Sequence, residues 1–153
     1  MSRFEYESLY VAMNELSNHD HSRFLTRTNG QVGRIQNKGT EAAEEGINEA
    51  VMREAVIMQM TWPGAPTVYY GDEVGVCGWT DPDNRRTYPW GHEDKQMLLF
   101  HKEAIRIHRN STALCTGSYK MLYTAWGILA YGRFDEKERY TVIVNNTQDT
   151  VNV

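Results

Sequence analysis

The chain has 153 residues, enough for one ordinary domain, and its 41% hydrophobic and 11% aromatic content describes a packed core rather than a disordered segment. Sixteen basic and twenty acidic residues give a net charge of −4, and apart from the pair Arg85 and Arg86 the arginines are scattered, so no basic stripe tracks a nucleic-acid backbone. Two cysteines, Cys77 and Cys115, are too few for a disulfide framework or a four-ligand zinc site and suit a reducing, cytoplasmic setting, while no apolar run approaches the roughly twenty residues of a membrane helix.

Residues 8–16, "SLYVAMNEL", are short and mostly apolar and predict a buried strand that runs into the polar loop "SNHDHSR". The glycine- and asparagine-rich stretch 29–39 predicts a loop, after which Thr40 is placed to cap a helix carrying Ile47, Val51, Ala55 and Met58 on one face. Pro63, Gly64 and Pro66 end that helix near Trp62, and "TVYY" at 67–70 predicts a second short strand. The order so far is β, α, β. A long loop over 71–94 holds Trp79, Tyr88 and Trp90 among glycines, prolines and aspartates, a composition suited to binding. Met97, Leu98, Phe100, Ala104, Ile105 and Ile107 keep a helical period from Asp94 to Arg109, with Asp94 as the cap. Beyond Asn110 three strand-like runs, divided by "TAWG" and "DEKE", predict an antiparallel meander, so the domain boundary is drawn between 1–110 and 111–153.

Asp20 stands just past a predicted parallel strand, where α/β barrels carry their chemistry, but Asn18 and Asp20 are equally good turn and cap residues. His19 and His21 flank it two apart, yet no third ligand at a metal-binding spacing accompanies them, and no metal is expected. "DPDNRR", 81–86, starts like a calcium loop and fails at the sixth and twelfth positions, which hold Arg86 and His92. Asp81 and Arg85 near Trp79 and Trp90 could bond the hydroxyls of a neutral polar ligand, or could form an internal salt bridge that pins the loop. Asp72 and Glu73, read as strand neighbours, point to opposite sides and are assigned structural roles, as core filling is assigned to Met52, Met58 and Met60.

Taken in register, "NELSNHDHSRF", "MTWPGAPTVYYGDEVG" and "DPDNRRTYPWG" resemble the alpha-amylase family of glycoside hydrolases, with the nearest likeness to neopullulanases and cyclomaltodextrinases. The resemblance extends through "LLFHKEAIRIHRNSTALCTGSY", which is similar to the last barrel helix leading into a C-terminal β-domain. It implies an α/β fold: the last quarter of a (β/α)8 TIM barrel, strands seven and eight with their helices, followed by the start of an antiparallel C-terminal β-domain. It further implies that Asp20 is the third catalytic carboxylate, that His19 contacts the same sugar, and that Asp81 and Arg85 contact a glucose further along an α-glucan oligosaccharide. No cofactor is implied. His21 and Ser22 depart from the Thr-Pro common after this aspartate, and the family's nucleophile and acid/base, which follow strands four and five, have no counterpart in the sequence. The expectation is therefore a fragment of a retaining glycosidase, inactive alone and self-associating through exposed barrel edges. The alternative is a non-catalytic carbohydrate-binding or assembly module with Trp79, Tyr88 and Trp90 as its platform.

Overall fold

A crossover helix between two parallel strands organises the N-terminal part of the chain, and a three-stranded antiparallel meander lies towards its C-terminal end. The structure is a computed structural model and describes residues 6–31, 33 and 38–152. After helix α1 (Tyr6–Tyr10), strand β1 (Met13–Glu15) pairs in parallel with β2 (Ala65–Thr67), with Met13 opposite Ala65 and Glu15 opposite Thr67. Parallel neighbours need a long connection, and helix α3 (Glu49–Thr61) supplies it, preceded by the short α2 (Phe24–Arg27). Gln59, buried on α3, stitches the helix to both strands, because its amide nitrogen donates to Asn14 O at 3.1 Å and to Thr67 O at 2.7 Å.

Four expectations from the sequence are corrected here. The first strand does not occupy 8–16: Tyr6–Tyr10 is helical, only Met13–Glu15 is extended, and Val11 and Met13 are exposed because no neighbour covers that side among the described residues. Thr40 does not cap the crossover helix. It precedes only a 3-10 turn (Glu41–Ala43), while Asn48 is the cap, accepting from Ala50 N at 3.0 Å and Val51 N at 3.3 Å. The buried face of α3 is Met52, Val56, Gln59 and Met60, and Val51, Ala55 and Met58 are only half-buried. The second strand is shifted to Ala65–Thr67, with Val68, Tyr69 and Tyr70 beyond its end. Within 29–39, residues 32 and 34–37 lie outside the described residues, and Gly30 and Gly39 have left-handed backbone.

Helix α4 (Lys95–Arg109) starts where expected, with Asp94 accepting from Gln96 N at 2.9 Å and Met97 N at 3.0 Å; it buries Met97 in the core with Leu25, Met52, Val56, Met60 and Trp79, and His101 is buried on the same helix. A last helical turn, α5 (Thr112–Cys115), leads to β3 (Ser118–Ala125), β4 (Ile128–Phe134) and β5 (Arg139–Asn145), antiparallel in that order as the meander predicts. Trp62, at the end of α3, packs edge-on against Tyr131 and Tyr119 of this sheet, each at 5.0 Å between centroids. Arg133 of β4 donates to Thr61 O at 2.7 Å and to Gly117 O at 3.2 Å, tying the sheet to the helix end. Burial there pushes the Tyr131 hydroxyl up to about 12. No described helix is long and apolar enough to cross a membrane.

Candidate active site

The chain leaves β1 through Leu16 and Ser17 and turns sharply at Asn18, whose Oδ1 accepts from Asp20 N at 2.9 Å and His21 N at 3.2 Å, while its Nδ2 donates to Glu15 Oε1 at 2.7 Å. This is an Asx turn, and Asn18 alone makes it. The Asp20 carboxylate therefore plays no part in capping the loop. Among the described residues its direct contact is His19 Nε2 at 3.4 Å, and both side chains are mostly exposed, at 70% and 61%. Ser17 fixes the far end of the loop by accepting from Phe24 N at 2.9 Å.

The second half of the site comes from the stretch after β2. Gly71, at φ 89°, permits a reversal into a 3-10 turn (Asp72–Val74), and a Cβ there would lie 2.8 Å from Val76 Cγ2. Asp72 and Glu73 are thus not strand neighbours. Asp72 is buried and pairs with Arg23 at 3.1 Å; burial pushes its carboxyl up, opposed by the Ser17 hydroxyl and Arg23. A further 3-10 turn (Asp83–Arg85) carries the "DPDNRR" residues. Asp81 and Arg85 form an ion pair there, and its hydrogen bond pushes the Arg85 guanidinium up. Arg85 Nη2 also reaches His19 O at 3.5 Å, and the negative charge of Asp20 acts on it as well.

His19, Asp20, Asp81 and Arg85 thus converge from two loops 61 or more residues apart in sequence, as the Arg23 to Asn84 separation shows. Trp79 does not join them. It is fully buried, its Nε1 donating to Gly39 O at 3.0 Å, so the aromatic platform loses one of its three members. Tyr88 and Trp90 stay together at 4.4 Å between centroids, with Trp90 79% exposed. The residues that sequence reasoning missed lie beneath: Arg23, Asp83, Asn84 and Arg86. Asp83 Oδ2 accepts from Trp79 N at 2.8 Å and from Arg86 at 2.9 Å, closing the turn from inside. A pairing of each Asp in "DPDNRR" with the Arg three or four places later was the available signal. No cluster of three His, Cys, Asp or Glu side chains able to hold a metal occurs among the described residues.

An exposed carboxylate, an adjacent imidazole and a guanidinium form one polar surface, and comparison with known proteins gives it a context. The family model for the alpha amylase catalytic domain matches residues 4–124. The chain belongs to the alpha-amylase family. An amylopullulanase of Thermoanaerobacter thermohydrosulfuricus is 39% identical over 131 residues, which are 86% of this chain and 9% of that protein. A cyclomaltodextrinase of Thermoanaerobacter pseudethanolicus is 35% identical over 139 residues, 90% of this chain and 21% of the relative. The crystal structure of an Anoxybacillus alpha-amylase superposes with a TM-score of 0.75 at 29% identity, covering 93% of this chain and 28% of that one. The chain thus spans about a tenth to a quarter of these amylase-family proteins.

Proposed function

We propose that this chain is the part of a retaining α-glucan hydrolase that contributes barrel strands seven and eight, here β1 and β2, and the third catalytic carboxylate, Asp20. The observation that carries the reading is that Asn18 shapes the loop and leaves the Asp20 carboxylate exposed beside His19, facing the turn that bears Arg85. In glycoside hydrolysis the ring gains positive charge on the way to an oxocarbenium-like transition state, and hydrogen bonds to neighbouring hydroxyls strengthen as it does. A charged acceptor that, among the described residues, meets only His19 serves that purpose. His19 would contact the same sugar, and Asp81 and Arg85 a glucose further along. The substrates proposed are maltooligosaccharides, cyclodextrins or pullulan, in keeping with the names of the relatives, and no cofactor is required.

Retention needs a nucleophile and a separate acid/base about 5 Å apart. Neither has a counterpart in these 153 residues by the family's motifs. The chain by itself should therefore show no turnover of maltotriose, cyclodextrin or pullulan, since Asp20 has no bond-breaking partner to assist. Reducing-sugar assays of the purified chain test this, and a rate above the uncatalysed background would contradict the assignment of the two missing carboxylates to other parts of the enzyme.

A further inference from the structure

Asp81 and Arg85 pair directly, but the contact between their turn and the His19 and Asp20 loop is loose. His19 meets Asp20 at 3.4 Å and Arg85 meets His19 O at 3.5 Å, both at the long limit of polar contact, and all four side chains are exposed. Their relative placement must come from below, where Arg23 and Asn84 are each 0% exposed. Arg23 N donates to Gly78 O at 2.9 Å; its Nε donates to Asn84 O at 2.8 Å; its Nη1 donates to Tyr70 O at 2.5 Å and to Asp72 at 3.1 Å. The guanidinium carbon lies 4.1 Å from the Tyr69 ring centre and 4.8 Å from that of Tyr70. Asn84 completes the loop in the other direction, its Nδ2 donating to Asn18 O at 3.2 Å and to His21 O at 2.8 Å, the residues on either side of His19 and Asp20.

We propose that Arg23 and Asn84 are positioning residues that hold the Asp20 loop in register with the Asp81 and Arg85 turn, so that one α-glucan chain is gripped at both places at once. This rests on the glycosidase reading above. A guanidinium suits the task because its donors leave in fixed, divergent directions and meet Asn84 O and Tyr70 O together, which a single ammonium nitrogen does not. A buried ion pair is a poor source of stability in itself, so packing alone gives little reason for an arginine here. Position matters to rate: a displacement of about 1 Å at a reacting group is enough to lose about 100-fold.

The test is made in the complete enzyme that carries this segment, with Arg23→Lys, Asn84→Ala and Asp20→Asn side by side. The proposal expects Arg23→Lys and Asn84→Ala to lower kcat on maltotriose by about tenfold or more per folded molecule and to raise KM for longer oligosaccharides, because both the transition-state contact and the distal contact are displaced. Hydrogen exchange should rise in peptides covering 18–24 and 78–86 together, with no change in 97–105. A lowered melting temperature with unchanged kcat per folded molecule and unchanged exchange in 18–24 would overturn it. Should Arg23→Lys not fold, Asn84→Ala decides on the same readouts. Should Asp20→Asn keep its kcat, the glycosidase reading fails instead, and exchange in 18–24 of Asn84→Ala still decides the register claim: raised exchange supports it and unchanged exchange overturns it.

Discussion

Arg85 shows how one side chain satisfies two readings of its sequence. The internal ion pair with Asp81 is present, so the loop-pinning role exists, yet the guanidinium keeps half its surface exposed and faces the His19 and Asp20 loop. An exposed ion pair adds little to stability. The two roles separate in kinetics. Under the proposed function, Arg85→Ala in the complete enzyme should raise KM for longer oligosaccharides by about tenfold and leave the shortest cleavable substrate almost unaffected, because uniform binding energy is lost. An equal loss at every chain length with a lower melting temperature would support the pinning role alone. At this scale the sequence was legible for exposed polar residues, which motifs reveal directly. It was not legible for Arg23 and Asn84, whose hydrogen-bond partners are mostly main-chain carbonyls that any residue type supplies. Trp79 was misplaced for a related reason: a tryptophan in a glycine-rich loop reads as a surface ring until its burial against the α3 core is seen.

Among the elements, α4 and the meander were the most legible, because a cap at Asp94 with a 3.6-residue period, and turn residues between short aromatic and aliphatic runs, each have one local solution. Helix α3 was less so. Apolar residues lie on more than one of its faces, and which face is buried depends on α4 and the strands rather than on periodicity. The same packing has a consequence for pH. His101 is buried on α4 with Nδ1 at 3.0 Å from Met97 O, and burial holds its imidazole below the ordinary histidine range, opposed by the backbone carbonyl and the charge of Glu73. The unfolded chain, with a histidine pKa of about 6.5, then binds more protons than the folded one between that value and the lower folded value. Stability present above pH 6.5 should be lost as pH falls through that window. Thermal melts at pH 7 and pH 5 should show a smaller drop in Tm for His101→Gln than for the unsubstituted chain; an identical drop would place the pH dependence elsewhere.

At the scale of the whole molecule, the two-stranded parallel sheet has free edges among the described residues, and α3 leaves Val51, Ala55 and Met58 facing open hollows of about 380 and 350 Å³. The first hollow is closed on its other side by Leu129 and Val144 of the meander, and neither hollow contains His19, Asp20, Asp81 or Arg85. Unpaired edges and apolar surface of this kind favour association, so the isolated chain should sediment as a dimer or larger species at micromolar concentration. A compact monomer would contradict that. This openness also explains what the sequence could not reveal: the exposure of Val11 and Met13 follows from their surroundings rather than from the residues themselves. The central claim, that the chain supplies the charge facing the developing oxocarbenium ion, is tested most directly by kcat of Asp20→Asn in the complete enzyme on maltotriose. Shape is kept and one negative charge removed, so the account predicts a loss of about 100-fold or more with folding intact. A near-normal kcat would contradict it and reduce Asp20 to a passive member of the turn that Asn18 builds.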